Sequence, residues 1–314
     1  MKYDSLAVSK VMGQPLDPRK PYPEIVTKLC QTDVVEPGDY YYSYDALVDT
    51  DKIYVITSNG AVTQENVIPD TPALLSFADI ATPEYYIKLT DFADRKESMF
   101  ARKNKTINRA LNAYEIYKVM TLLGTAASGV SHTVTLGSGY TRFSYPHVIS
   151  MLEQVQDYGD NFKLVLGATC HNDLTLWDWN DNKYASMLEA FAMLNVEKIR
   201  LSLAGSAAQF SVDADNSGGV VATDLLSATA AYMVAVDSEL GAPILFVRKK
   251  LDSIAMLGGV ISENGEAPQR LILVGSNPVT VTSTARYLAV SIQGYEQIAA
   301  AVVNPYACSS FSRS

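Results

Sequence analysis

The features missing from this sequence of 314 residues constrain its function before those present do. No run of about 18 apolar residues occurs, so no segment has the length and hydropathy of a membrane-crossing helix. The opening stretch, MKYDSLAVSKVMGQPLDP, lacks the continuous apolar core of a secretory signal. Cysteine is scarce. Cys30, Cys170 and Cys308 are odd in number and far apart, which argues against a disulfide framework and fits a reducing compartment. Bases are outnumbered, 25 Lys and Arg against 34 Asp and Glu, for a net charge of −9. A chain that grips nucleic acid tightly is usually basic. Catalytic signatures are missing as well: there is no G-x-S-x-G, no Walker loop, no G-x-G-x-x-G after a strand and no H-E-x-x-H. The three histidines, His132, His147 and His171, have no metal-ligand spacing. Neither a cofactor nor a catalytic residue is expected.

Three weaker constellations remain. Cys170-His171 is the only Cys–His neighbour pair, and on an extended chain its members point to opposite sides, which prevents a nucleophile–base dyad. Asp173, Asp178 and Asp181 accompany Trp177 and Trp179, a carboxylate–tryptophan grouping that can mark a sugar site. Asp- and Asn-rich loops before a helix more often supply caps and turns. The sharpest motif is the stretch DADNSG, in which Asp213, Asp215 and Ser217 occupy positions 1, 3 and 5 of a calcium-type loop and Gly218 the bend, with Asp224 at position 12. Against a calcium site stand the short arm of Asp224 and the unhelical AAQFSV before the loop. A plain acidic loop is the favoured reading, and no metal is assigned.

Hydrophobic residues make up 48%, enough for a substantial core. Tyrosine is abundant at 19 residues and offers the large, polar-tipped contact area found at interfaces. Charge is uneven. Residues 160–240 hold 11 acids and 4 bases, whereas residues 88–109 hold 7 bases and 3 acids. Opposite patches of this kind can meet on neighbouring copies, or can simply be two solvated faces.

Along the chain, Pro15, Pro18, Pro21, Pro23 and Pro37 break residues 1–40 into an arm. A β-hairpin is predicted over 40–74, from Tyr- and Val-rich runs around the Asn59-Gly60 turn. The longest helix is predicted within 91–123, in two parts, with Gly124 as its stop. Residues 125–143 read as β-like. Ser144 and Pro146 start a helix that Gly159 ends. A strand over 162–166, a helix over 184–194 and a strand over 198–203 give a small α/β unit. Strands over 232–236, 244–247, 271–274, 279–282, 287–292 and 298–303 follow, and the last eight residues read as a tail.

This order of elements resembles the tailed-phage major capsid protein, the Hong Kong 97-type fold shared with encapsulin shells. The stretches VDSELGAPILFVRKK (236–250) and RYLAVSIQGY (286–295) have the look of that family. The resemblance implies an α+β chain with an N-terminal arm (1–40), an extended β-hairpin loop and its base (41–90), and a spine helix with part of the peripheral domain (91–144). It further implies an axial α/β domain (145–235), then peripheral return strands and a C-terminal tail (236–314). It implies a non-enzymatic protein whose main partner is itself, in hexamers and pentamers of an icosahedral shell. Portal, scaffold or decoration proteins would be further partners, and packaged double-stranded DNA would be contacted weakly. The location implied is the virion capsid, assembled in the host cytoplasm. The covalent Lys–Asn cross-link of some members is not carried over: Lys52 and Asn304 match no cross-link motif. Three other readings stay open here: an encapsulin-type protein-cargo shell, a tail or decoration protein, and a carbohydrate-acting enzyme using the Asp/Trp cluster.

Overall fold

The computed structural model describes residues 24–37, 39, 41–44, 73–180, 189, 191–201, 210–212, 221–239, 241–251, 269–282 and 285–313. The hairpin predicted over 40–74 therefore lies mostly outside the described residues, as do the first 23 residues and most of the 184–194 helix.

One helix dominates. Helix α2 (Leu89–Gly129) follows the short α1 (Ile25–Leu29) and runs unbroken for 41 residues. No proline occurs between Pro83 and Pro146, so nothing removes a backbone donor along its length. The expected break and the stop at Gly124 are both corrected. Gly124 lies inside the helix, where an added Cβ would come within 2.9 Å of the Tyr232 hydroxyl. It is a close-packing position, and the helix runs on because Ala126 and Ala127 are buried beyond it. The chain turns only after Gly129, with Ser131 at φ 61° and the His132 N–H bonded to the Ala127 carbonyl.

Two sheets flank α2. The larger is built on β14 (Ala285–Val302), the longest strand at 18 residues. Strands β13 (Arg270–Thr282) and β12 (Ile244–Lys249) pair with β14 antiparallel, β13 along residues 285–296 and β12 along residues 298–302. The short β4 (Ala78–Ala81) and β5 (Tyr85–Lys88) pair with its opposite edge. Four strands predicted beyond residue 270 are thus two long ones. Strand β1 (Cys30–Val35) adds parallel to β12. Residues 25–35, expected within an arm, belong to this body: Ile25 and Leu29 are fully buried under α2, because their spacing gives even this short helix one apolar face. A separate two-stranded ribbon pairs β2 (Tyr41–Tyr44) with β3 (Ala73–Ser76).

The second sheet has the order β6-β15-β11-β7-β8, from β6 (Thr133–Thr135), β7 (Asn161–Leu166), β8 (Val196–Arg200), β11 (Ala230–Val236) and β15 (Cys308–Ser312). The predicted tail is corrected here. Strand β15 lies between β11 and β6, with Cys308 and Phe311 buried. Period-two alternation in β11 sends Ala231, Met233 and Ala235 to one face and Val234 to the other. The first face packs on α3 (Tyr145–Val155) and α4 (Ala168–Asn180), around Phe143, Met151, Leu164, Leu174 and Phe311. The second packs towards α2, around Ile116, Val119, Leu123, Val165 and Ile199. Helix α3 starts at Ser144 with Pro146 in its first turn, as the sequence predicts. Residues 168–180, expected as a loop, are helical. The short β9 (Phe210–Val212) and β10 (Val221–Thr223) form a two-stranded hairpin.

Candidate functional site

Of the residues nominated for chemistry, those whose side chains are described show no reactive arrangement. Cys170 and His171 lie on helix α4, not on extended chain. Burial pushes the Cys170 thiol up to about 12, far from the thiolate a nucleophile needs. Burial also lowers the pKa of His171, with the nearby positive charge of Arg200 adding to the effect. Asp173 is buried, accepts from the Phe143 N–H at 3.3 Å, and lies 3.6 Å from the Arg313 guanidinium. The Arg313 side chain in turn donates to the Thr141 carbonyl at 2.6 Å. Asp173 is thus a tie between α4, the loop before α3 and the chain end. For Asp178, Trp177 and Trp179 only the backbone is described, and Asp181 lies outside the described residues. Asp213, Asp215 and Ser217 of the calcium-type loop also lie outside them. That loop's flanks are the strands β9 and β10, where an EF-hand has helices, and Asp224 is exposed just after β10. Among the described residues no group of three or more His, Cys, Asp or Glu side chains could hold a metal ion. Asn304 caps a 3-10 turn, its Oδ1 accepting from the Tyr306 N–H at 3.1 Å.

The described surface carries aromatic and basic patches in three places. The first is the β2–β3 ribbon. Its inner face, Tyr42, Tyr44 and Leu75 with neighbouring Phe77, packs against Leu245, Val247 and Ala299 of the large sheet. The Tyr42 hydroxyl donates to Asp33 Oδ2 at 2.6 Å. The outer face presents Tyr41 at 62% exposure and Leu74 at 67%. A ribbon this small is marginal alone, so the inner face anchors it while the outer face stays unsatisfied. The second place is the first half of α2, where Arg102 and Lys105 are exposed and the Lys103 ammonium sits 4.6 Å from the centre of the Tyr85 ring. The third is a shelf of Tyr158 and Tyr306, stacked at 5.7 Å between ring centres, with His132 edge-on to Tyr306.

Sequence reading missed the most organised polar group. Glu115 of α2 accepts two bonds from Arg248 of β12, Nε to Oε1 at 2.7 Å and the second guanidinium nitrogen to Oε2 at 2.9 Å. Arg270 of β13 reaches Glu115 Oε1 at 3.0 Å and Glu296 Oε2 of β14 at 2.6 Å, and donates to Asn112 Oδ1 at 2.6 Å. Two carboxylates, at 3% and 1% exposure, thus hold the long helix to three strands of one sheet. A signal was available: charge enters otherwise apolar strands, at Arg248 in ILFVRK and at Glu296 in IQGYEQIAAAV.

Comparison with known proteins decides what this scaffold is. No family model matches the sequence, and no curated protein does. Solved structures match along almost the whole chain. A chain in the capsid structure of the cyanophage P-SCSP1u superposes with a TM-score of 0.58 at 10% identity, covering 94% of this chain and 90% of that one. The chain has the Hong Kong 97-type phage capsid fold. A chain from Mycobacterium phage Ogopogo shares this capsid fold with a TM-score of 0.55 at 6% identity, over 94% of both chains. One from Microbacterium phage Oxtober96 reaches 0.53 at 10% identity, over 96% of this chain and 95% of that one. Identities this low are consistent with a fold held by pattern and packing, with few fixed side chains. The unbroken helix and the two sheets are this chain's version of the capsid fold.

Proposed function

We propose that this chain is the major capsid protein of a tailed phage, a structural protein without enzymatic activity. It would self-assemble into hexamers and pentamers of an icosahedral shell around double-stranded DNA. The observation that carries this reading is the match to the cyanophage capsid chain over 94% of the sequence, with Tyr41 and Leu74 exposed on the outer face of the β2–β3 ribbon. An exposed ribbon face of this kind is explained by a neighbouring copy lying on it, and heterologous contacts of that type close into rings. In this reading α2 is the spine helix. The five-stranded sheet with α3 and α4 is the axial domain, the large sheet is the peripheral domain, and β2–β3 is the foot of the extended loop. Strand β15 then belongs with the axial domain. The basic face of α2 would meet acids of the next subunit or touch packaged DNA weakly. Portal, scaffold or decoration proteins complete the list of partners, and the virion, assembled in the host cytoplasm, is the location.

The test is size-exclusion chromatography and negative-stain microscopy of the chain expressed alone and with its phage's scaffold. Closed shells, or five- and six-membered rings, are expected. A stable 34 kDa monomer under both conditions would refute the reading.

A further inference from the structure

The four-residue charge cluster beneath α2 is asymmetric, and the asymmetry has a consequence for protons. Glu115 has both oxygens filled by three guanidinium contacts from Arg248 and Arg270. Among the described residues Glu296 receives one bond, from Arg270 Nε to Oε2, and its buried Oε1 has no partner. A buried oxygen that accepts nothing is a costly place for half a negative charge. It is a suitable place for a proton, since a protonated carboxyl loses the charge and needs less solvation. The two guanidiniums keep partial access to water, at 21% and 23% side-chain exposure, so positive charge in the cluster is solvated while negative charge on Glu296 is not. The groups facing Glu296 come from every neighbouring element. They are Glu115, Asn112 and Tyr114 from α2, Arg248 from β12, Arg270 from β13, and the apolar Ile80 opposite it on β4, with Cys30 of β1 close to Arg248.

We propose that Glu296 is a proton-operated latch, the carboxyl whose protonation seats helix α2 on the large sheet and whose ionisation loosens that seat. Burial raises its pKa to about 7, Glu115 pushing the same way against the pull of Arg270. A carboxyl raised above its unfolded value stabilises the fold fully below that unfolded value. The contribution is lost as pH rises through about 7. Two other sites on α2 frame the latch: Gly294, two residues before Glu296, allows Ile107 and Leu111 to approach β14 directly. Loosening at Glu296 is therefore felt at this close approach of helix and strand. The inference concerns the subunit itself and holds whether or not the chain builds a shell.

The test uses the full chain and its Glu296→Gln variant, which keeps shape and removes the proton exchange. Denaturant titrations at pH 5.5 and 8.0 give the ratio of the two unfolding constants at each pH. That ratio should change by tenfold or more between them, the variant gaining on the native chain at the higher pH. A pH-difference infrared spectrum of the native chain should show a protonated-carboxyl band lost around pH 7 and missing from the variant. A constant ratio with no such band would overturn the latch. If the variant fails to fold, the infrared titration of the native chain decides alone, through the presence or absence of the band.

Discussion

At the residue scale, two positions show how little freedom the packing leaves. A Cβ on Gly294 would lie 2.2 Å from Ile107 Cγ2, inside any tolerable contact. Gly294→Ala should therefore force α2 off β14 and cost about 1–3 kcal/mol of stability, read by denaturant unfolding. Pairing it with Ile107→Ala should recover part of that loss. His147 is the second position. Its ring is buried among Tyr140, Phe143 and Phe311, and Nδ1 accepts from the Ser144 N–H at 3.1 Å, which requires the neutral ring. Burial lowers its pKa, so the neutral form is favoured by folding. The sign is opposite to that of Glu296: the contribution is complete above the ordinary histidine range and fades as pH falls through it. Acidification from pH 7.5 to 5 should destabilise the native chain more than a His147→Gln variant, measured as the change in midpoint of each.

At the scale of elements, the β2–β3 ribbon separates folding from association. Its inner residues are part of the core and its outer residues are not. Replacing Tyr41 and Leu74 together by serine should leave the unfolding midpoint of the subunit within about 0.5 kcal/mol of the native value, as surface changes usually do. The same pair of changes should impair shell formation in sedimentation and microscopy. Helix α2 offers a parallel contrast. Arg102 and Lys105 are exposed on its first half, whereas Ile116, Val119 and Leu123 are buried farther along. Changing Arg102 and Lys105 to glutamine should weaken assembly without lowering subunit stability, whereas Leu123→Ala should cost about 2–5 kcal/mol.

At the scale of the whole molecule, the chain end is structural. Strand β15 is hydrogen-bonded on both sides, and Phe311 fills the core under α3. Deleting residues 307–314 should leave β11 and β6 unpaired along one edge and expose that core. The expected result is insoluble protein or loss of a cooperative unfolding transition. The same deletion would be harmless if these residues were the tail their small, serine-rich composition suggests.

Local pattern in the sequence was enough to determine several things. Proline-free apolar periodicity required a long helix before residue 130, Ser144 and Pro146 fixed the start of α3, and short apolar runs marked β7, β11 and β12. The order of those elements was enough to suggest a capsid fold. Only the tertiary structure decided that α2 passes Gly124 without ending, because a glycine stop and a glycine that clears a tyrosine look alike in one dimension. It also decided that Ile25–Cys30 and β15 belong to the core and that β1 joins the large sheet, since their partners lie far away along the chain. The pairing of Glu115 and Glu296 with Arg248 and Arg270 belongs to the same class. Glu115, Arg270 and Glu296 stand apart along the chain and Arg248 opens the basic run Arg248-Lys249-Lys250, so they form a group only where one helix crosses three strands.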